Sequence, residues 1–192
     1  MTLDSFDPSY RDGTPPWEVG TPQPAVVALA KSGHFSGWIL DVACGTGENS
    51  LHLASLGHTV IGVDGSPTAL ERAREKARGR RLAAEFEIAD AFDLAALGRR
   101  FDTVLDCAFL HIPGNTADAR RAYTAQLAAV LEPGGWAHLL EISEQDTEHP
   151  SRTRAEILDS FDDQWANAKV QESTYLVTTG EVPAWLISLQ RQ

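Results

Sequence analysis

The sequence predicts an α/β fold, a single domain whose doubly wound, mostly parallel sheet ends in an antiparallel hairpin strand. From Trp38 onward, short apolar runs alternate with segments of helical spacing, a pattern typical of βαβ crossovers. The apolar runs are nearly continuous, as expected of parallel strands buried on both faces. After Ser143 two strand-like runs flank a turn signal at Gly180-Glu181, which predicts the hairpin.

Residues 1–24 are predicted to form an arm or lid in front of the main domain, which spans residues 25–192. The arm is rich in Pro, Gly and Asp and carries three aromatic side chains, a composition that disfavours regular elements. The first helix begins at Pro24, which suits a first helical turn, and ends at Gly33.

Five parallel strands and their connecting helices follow in order. The strands are predicted at residues 38–43, 59–64, 84–90, 101–109 and 136–142, and the connecting helices at 48–56, 68–78 and 115–131. Ser66 and Pro67 are a good N-cap and first residue for the helix that follows the second strand. A capping box between Thr153 and Glu156 starts a further helix. The hairpin strands are predicted at 168–179 and 183–190.

The composition is that of a soluble globular chain, with 43% of the 192 residues hydrophobic and 22% charged. The net charge of −11 argues against a nucleic acid partner. The chain has no apolar stretch near the ~20 residues of a membrane span and no signal pattern, so we expect a cytoplasmic protein with no membrane partner. Cys44 and Cys107 lack metal-site spacing, so no metal is expected. Either a monomer or a homodimer is compatible with the sequence.

A glycine-containing turn leaves the first predicted strand, where an open α/β sheet binds its ligand. Gly45 and Gly47 can adopt positive φ and let the backbone approach a ligand. A pyrophosphate-binding GxGxxG turn would carry a third glycine where this chain has Ser50. The carboxylate of Asp41 would also repel a pyrophosphate. It suits a ligand that bears an ammonium group and a sulfonium cation.

Three acids in order make the chain resemble the class I S-adenosylmethionine-dependent methyltransferases, a Rossmann-like superfamily. The first lies in "DVACGTG", the second ends "GVD" and the third lies in "IADAF". The resemblance implies that Asp64 binds the ribose hydroxyls, Asp90 the adenine amino group, and the backbone of Ala91 the same ring. Residues 25–192 would then be the methyltransferase domain. The cofactor-binding residues it implies are Trp17, Gly20, Asp41, Ala43, Cys44, Gly45, Gly47, Asp64, Gly65, Asp90, Ala91 and Cys107.

The two ends of the chain resemble a narrower group, the bacterial thiopurine-methyltransferase-like proteins that act on small heterocyclic molecules. The similar segments are "PPWEVGTPQPAVVAL" and "PAWLISLQR". In that group the first segment covers the cofactor and borders the acceptor pocket. The resemblance therefore implies methyl transfer to O, S or N of a small, aromatic or heterocyclic acceptor. The fourth strand ends in "DCAF", without the Pro-Pro pair of nucleobase amino-methyltransferases, which also disfavours nucleic acid.

His111 is the predicted catalytic residue, because it follows the fourth strand, whose end adjoins the glycine turn in a doubly wound sheet. The other histidines fit this role worse: His34 and His58 precede strands, His52 lies in a helix, His138 in a strand and His149 in a late loop. The predicted acceptor pocket consists of Tyr10, Trp17, Phe109, His111, Glu141 and Trp165. For Asp106, inside the fourth strand, binding of nearby backbone N–H groups is favoured over catalysis.

Two other functions are compatible with this fold. An NAD-dependent oxidoreductase could place the ribose on Asp64, although Ser50 and Asp41 disfavour it. A non-catalytic cofactor-binding module would keep the motifs without turnover.

Overall fold

The protein is built on one seven-stranded sheet, and a computed structural model describes residues 6–110 and 116–192. The strands are β1 (Trp38–Val42), β2 (Thr59–Asp64), β3 (Ala84–Ile88), β4 (Phe101–Cys107), β5 (Leu131–Ile142), β6 (Trp165–Val177) and β7 (Gly180–Arg191). The α-helices in the described ranges are α1 (Asp7–Arg11), α2 (Pro24–Lys31), α3 (Glu48–Ser55), α4 (Pro67–Arg80), α5 (Ala117–Val130) and α6 (Arg154–Leu158). A 3₁₀ helix, Leu94–Leu97, precedes β4.

The strands lie in the order β3-β2-β1-β4-β5-β7-β6. Strands β1 to β5 are parallel, and β7 pairs antiparallel with β5 and β6. The predicted fold class is thereby confirmed. The strand order reverses between β1 and β4, and sheets of this kind bind ligands beyond the carboxyl ends of the strands at that point.

Helices cover both faces of the sheet. Alternate side chains of a buried strand point in opposite directions and so pack against the two layers of helices. In β1, Leu40 and Val42 pack in a cluster with Tyr123 and Leu127 of α5. Ile39 points the other way and packs with apolar side chains of α2 and α3. The continuous apolar pattern of β1 is therefore explained by two packed layers of helices.

The fifth strand begins at Leu131, earlier than the predicted start at residue 136. Its ladder with β4 shifts register just after this residue, which forms a bulge. Gly135 lies in the bulge, where a Cβ would approach the carbonyl oxygen of Asp102 to 2.9 Å. The Pro-Gly-Gly segment at residues 133–135, which lies just before the predicted strand, is part of a bulge inside the observed one.

The predicted hairpin is present with a shifted turn. Val177 pairs with Gly180, so Thr178 and Thr179 form the turn and Gly180 begins β7. β6 also begins earlier than predicted, at Trp165.

The arm contains a short helix that its Pro- and Gly-rich composition did not predict. In α1, Asp7 accepts hydrogen bonds from Ser66 Oγ at 2.7 Å and from the Thr68 N–H at 3.0 Å, so α1 lies against the start of α4. Farther along the arm, the side-chain amide of Gln23 donates to the Leu176 carbonyl at 3.0 Å and accepts the Leu176 N–H at 2.8 Å. The arm is thus fixed to two separate elements. Among the helices of the described residues, none is long and apolar enough to span a membrane.

Candidate functional site

A cavity of about 310 Å³ lies at the carboxyl ends of β1, β2, β3 and β4. Its lining also includes Ile142 at the end of β5, part of the arm, the loop after β5 and two side chains of β6. Its polar and small lining residues include Ala43, Asp64, Gly65, Ser66, Asp90, Ala91, Cys107 and Ala108. Its aromatic lining residues are Phe6, Tyr10, Trp17, Phe92, Phe109, His149 and Tyr175.

Asp64, the last residue of β2, is held in place by the glycine turn beside it. Its two carboxylate oxygens accept the backbone N–H groups of Gly45 and Ser66, each at 2.8 Å. Burial raises the pKa of Asp64, and the hydrogen bonds from Ser66 and Gly45 offset part of that increase. The carboxylate is therefore oriented by backbone donors and lines the cavity.

The two glycines of the turn make room for other parts of the protein. Gly45 has φ +55°, and a Cβ there would approach the Glu18 carboxylate to 2.3 Å. Gly47 has φ +81°, and a Cβ there would meet the ring of Phe86 in β3 at 2.7 Å. The sequence predicted close approach to a ligand. The protein atoms that approach these positions belong to the arm and to a neighbouring strand, and Gly45 also lines a smaller cavity beside the main one.

Glu18 places a carboxylate from the arm directly on the turn. Its Oε1 accepts the backbone N–H of Thr46 at 2.9 Å, and its Oε2 accepts the Thr46 hydroxyl. The hydroxyl of Tyr10 also donates to Glu18 Oε1, at 3.3 Å. Glu18 is not among the residues that the sequence predicts for the site, and its position directly after Trp17 in the arm is the one signal for it.

A second cavity, of about 50 Å³, adjoins the first and shares Trp17 and Cys107 with it. Asp41 lines it and is 1% exposed. Ser50 Oγ donates to Asp41 Oδ2 at 2.5 Å, which explains a serine where a dinucleotide turn would have glycine. Burial raises the pKa of Asp41 to about 7, although the bond from Ser50 acts in the other direction.

The third predicted acid follows β3. Asp90 lines the main cavity together with Ala91, and its Oδ1 accepts the backbone N–H of Phe92 at 2.9 Å. This bond closes a tight turn and fixes the direction in which the carboxylate points. Asp41, Asp64 and Asp90 thus line one connected pair of cavities, as their strand-end positions predicted.

An aromatic wall closes the main cavity on the side of the arm. Trp17 Nε1 donates to the Tyr10 hydroxyl at 2.9 Å, and the ring of Trp17 packs edge-on against Phe6. Tyr175 of β6 and Phe109, after β4, contribute further rings. Phe6 and Tyr175 were missed, because each is far in sequence from the motifs that it joins in the fold.

Two buried carboxyl groups lie behind the loop that follows β4. Asp106 accepts the Phe109 N–H and the Tyr123 hydroxyl, each at 2.9 Å, while Glu141 Oε1 accepts the Leu110 N–H at 3.1 Å. Burial and the nearby Glu141 raise the pKa of Asp106 well above its ordinary range. The expectation that Asp106 binds backbone N–H groups is met by this geometry.

Both cysteines are free thiols. Cys107 lines both cavities and Cys44 the smaller one. Burial, with nearby carboxyl groups such as Asp41, raises the pKa of each thiol well above its ordinary value. A thiol of this kind is a poor nucleophile.

Four of the predicted site residues lie outside the linings of these cavities. Gly20 is an exposed turn residue with φ +73°, and Gly47 is the N-cap of α3. Glu141 is fully buried within β5. Trp165 begins β6, which runs parallel to β5 because both pair antiparallel with β7, so it lies at the opposite edge of the sheet from the cavity. His111 lies outside the described residues.

An open, doubly wound α/β domain with acids at three strand ends defines a class of nucleotide-cofactor proteins. Residues 39–135 match the methyltransferase-domain family. The chain belongs to this family.

Two relatives of this chain are named for different methyl acceptors. The chain is 33% identical to the 2-heptyl-1-hydroxyquinolin-4(1H)-one methyltransferase of Mycobacteroides abscessus, over 68% of this chain and 60% of that protein. It is 31% identical to the probable thiol methyltransferase 2 of Arabidopsis thaliana, over 68% of this chain and 58% of that protein. The chain thus spans less than two thirds of the length of these curated relatives.

One solved structure matches the whole chain. It comes from work on the conversion of a disulfide bond into a thioacetal group during echinomycin biosynthesis. The match covers 100% of this chain and 92% of the other, with a TM-score of 0.91 and 39% identity. The arm and the hairpin are therefore included in the similarity.

Proposed function

We propose that this protein transfers the methyl group of S-adenosylmethionine to an O, S or N atom of a small molecule with an aromatic or heterocyclic ring. The observation that carries the proposal is the cavity of about 310 Å³, in which Asp64 and Asp90 share one space with an aromatic wall. A cofactor with a ribose and an adenine fits the acidic strand ends, and a flat acceptor fits the rings.

The donor set favours a cationic cofactor over a dinucleotide. Glu18, Asp41 and Asp64 are carboxyl groups that line the two cavities, and a pyrophosphate among them would be repelled. An ammonium group and a sulfonium group would be attracted. The methionine end would lie in the smaller cavity with Asp41, the ribose at Asp64 and the adenine at Asp90 and Ala91.

When bound, S-adenosylmethionine supplies an activated methyl group on a positively charged sulfur. The protein contributes orientation and exclusion of water. Trp17 and Tyr10 close the cavity from the arm, and the two hydrogen bonds between Gln23 and Leu176 fix the arm to β6. We propose on this basis that residues 1–24 act as a lid over the domain formed by residues 25–192.

The class of acceptor is inferred from the wall and from the relatives. Phe6, Trp17, Phe109 and Tyr175 offer ring faces and edges on which a flat molecule can stack. One relative is named for a hydroxyquinolinone and another for thiols. An acceptor that joins a heteroatom nucleophile to a ring would use this wall.

Calorimetric titration tests the choice of cofactor. We expect S-adenosylmethionine to bind and NADH to give no signal. Binding of NADH alone would overturn the proposal in favour of an oxidoreductase. A screen for release of S-adenosylhomocysteine then tests turnover, with 2-heptyl-1-hydroxyquinolin-4(1H)-one, phenols and heterocyclic thiols as acceptors. Binding without release across the whole panel would instead indicate a non-catalytic module.

A further inference from the structure

The loop between β5 and α6 carries a histidine that faces the main cavity and is held by a carboxylate. His149 lines the cavity, and its Nδ1 lies 3.0 Å from Asp146 Oδ1. The side chain of His149 is 25% exposed and that of Asp146 only 8%. From the sequence alone, His149 fits a catalytic role worse than His111, because it lies in a late loop.

Asp146 organises this loop around the ring. Its Oδ1 also accepts the backbone N–H groups of Glu148, at 2.9 Å, and of His149, at 2.7 Å. Burial raises the pKa of Asp146, but the bonds from the His149 backbone and ring and from Glu148 outweigh it and hold the pKa below its ordinary value. Asp146 is therefore an ionised acceptor around which the loop is folded.

The ends of the loop are fixed as well. Ser143 and Arg152 pair in a parallel bridge, and the Arg152 N–H donates to the Ile142 carbonyl at 3.1 Å. The Asp146 N–H donates to the Ser143 carbonyl at 3.0 Å. The loop is thus closed at its base and again at its centre, which gives the ring of His149 a defined position.

The hydrogen bond to Asp146 determines which nitrogen of His149 faces an acceptor. A carboxylate can only accept, so Nδ1 carries the proton in the neutral ring and Nε2 holds a lone pair. Within the described part of the chain, Nε2 makes no hydrogen bond. A histidine oriented by a carboxylate, with its other nitrogen available in a cavity, is the arrangement of a general base.

We propose that His149, oriented by Asp146, takes the proton from acceptors whose attacking atom carries one: thiols, phenols and N-hydroxyl groups. The inference rests on the methyl transfer proposed above. The acceptor's lone pair forms the bond to the methyl carbon, and the methyl–sulfur bond breaks with its electron pair left on sulfur. The acceptor's proton passes to Nε2 and then to solvent.

The substitutions that test this are His149→Ala and Asp146→Asn, with His58→Ala as a matched control. His58 lies before β2, at the opposite edge of the sheet, so its loss should leave turnover unchanged. With 2-heptyl-1-hydroxyquinolin-4(1H)-one as acceptor, we expect kcat to fall by about 100-fold or more in His149→Ala. The KM for S-adenosylmethionine should change little, because His149 comes from the loop after β5 and the acids proposed to hold the cofactor come from β1, β2 and the end of β3.

Asp146→Asn separates catalysis from loop folding. Its side-chain oxygen can still accept the Glu148 and His149 N–H groups, while the charge that orients the ring is removed. We expect circular dichroism and the melting temperature to stay near those of the wild type and kcat to fall by at least about tenfold. A kcat equal to that of the wild type would overturn the role of Asp146.

Rescue of His149→Ala by added imidazole distinguishes a catalytic role of the ring from a purely structural one, because free imidazole can accept a proton but cannot restore the fold of a loop. We expect a saturable gain in turnover in this variant and none in the wild type or in His58→Ala. Unchanged turnover in His149→Ala, or lost turnover without rescue, would overturn the proposal.

A measurement without turnover distinguishes failure of this inference from failure of the proposed function. Nitrogen NMR of the His149 side chain should report a proton on Nδ1 and none on Nε2 when the ring is neutral. The opposite tautomer would overturn the assignment of the base even in an active enzyme. A wild type that releases no S-adenosylhomocysteine with any acceptor of the screen would instead overturn the proposed function.

Discussion

Glu18 and Thr46 join the arm to the glycine turn: the carboxylate accepts the Thr46 N–H at 2.9 Å and also its hydroxyl. Glu18 belongs to the predicted arm and Thr46 to the predicted domain, so these hydrogen bonds connect the two parts of the chain. It also places a negative charge beside the smaller cavity, which Glu18 lines together with Asp41.

Glu18→Gln should weaken binding of S-adenosylmethionine by about tenfold, since a hydrogen bond that involves a charged group contributes roughly 1.5–3 kcal/mol. The loss has two sources, looser closure of the arm and less attraction for a cation. Titration with S-adenosylhomocysteine, which lacks the sulfonium charge, separates them. Equal losses for both ligands indicate closure, and a larger loss for S-adenosylmethionine indicates charge. Glu132→Gln, on the exposed bulge of β5, is the control, and an equal effect there would contradict this role.

Cofactor affinity should rise as the pH is raised through about 7, the pKa that burial gives Asp41. Ionised Asp41 attracts the ammonium group of the ligand, and the protonated form does not. Asp41→Asn should bind more weakly at pH 8 and show a flatter pH dependence. Calorimetry of both proteins from pH 6 to pH 8 measures this. The same slope in both would assign the dependence to another group.

Ionisation of Asp41 should act in the opposite direction on the stability of the free protein. The native state keeps the proton up to about pH 7, whereas the unfolded chain releases it near the ordinary value of 3.8. The contribution of this group to the free energy of unfolding therefore falls as the pH rises between those values. Urea denaturation of Asp41→Asn relative to the wild type should show the variant gaining relative stability toward pH 7. A pH-independent difference would contradict it.

Residues of this site can be predicted from the sequence where local patterns place them, and cannot be where long-range pairing of strands places them. Asp41, Asp64 and Asp90 could be placed because each lies at or near the carboxyl end of a strand, and the strand pattern is local. Trp165 was placed in the pocket by its ring alone, and the direction of β6 puts it at the other edge of the sheet. Tyr175, on that same strand, is the aromatic residue that lines the cavity.

The residues of the loop after β5 illustrate a second limit. Asp146 and His149 have no periodic pattern around them, and their pairing depends on a loop closed by the bridge of Ser143 with Arg152. Glu141 shows the converse. It is the penultimate residue of β5, as Asp41 is of β1, but its carboxylate is fully buried and accepts the Leu110 N–H, outside the linings of the two cavities.

His138, inside β5, should make the protein less stable in acid. It is 1% exposed, with Nδ1 2.8 Å from Ser188 Oγ and Nε2 3.2 Å from the His34 carbonyl. Burial lowers its pKa from 6.5 to about 4. The unfolded chain therefore binds a proton between these values that the native state does not, and stability falls as the pH falls from 6.5 to 4. The loss from this group is at most about 3 kcal/mol.

His138→Gln isolates that contribution, because glutamine keeps hydrogen-bonding capacity without titrating. Urea denaturation from pH 7 to pH 4.5 should show a smaller decline for the variant than for the wild type. Parallel declines would assign the acid sensitivity to other groups. Asp41 opposes His138 over the same range, so only the difference from the wild type is informative.

Asp106 should tolerate conversion to an amide far better than removal. Asparagine can still accept the Phe109 N–H at its side-chain oxygen, its amide N–H can donate to the Tyr123 hydroxyl oxygen in place of the bond that Asp106 accepts, and it carries no charge beside Glu141. Asp106→Asn should therefore keep or increase the free energy of unfolding at pH 7. Asp106→Ala should lower it by about 2–3 kcal/mol, since the Phe109 N–H and the Tyr123 hydroxyl would be left buried without a partner. Similar losses in both variants would show that the charge itself is needed.

Ala108 turns the chain from β4 into the loop beside the cavity, with φ +74°. Its N–H still donates to the Leu140 carbonyl at 2.9 Å, so the ladder with β5 continues to this residue and the left-handed conformation directs the chain out of the sheet.

An L side chain there carries about 1–2 kcal/mol of strain. Ala108→Gly relieves the strain but loses a packed methyl group and loosens the unfolded chain, so the net change should stay within about 1 kcal/mol. Ala108→Val should lower the free energy of unfolding by about 2 kcal/mol or more, because a β-branched residue is far less tolerant of positive φ. Ala129→Val, on the exposed face of α5, is the control and should cost only about 0.5 kcal/mol. Urea denaturation of the three variants measures these differences, and equal costs for valine at both positions would show that the backbone at Ala108 can relax without disturbing the site.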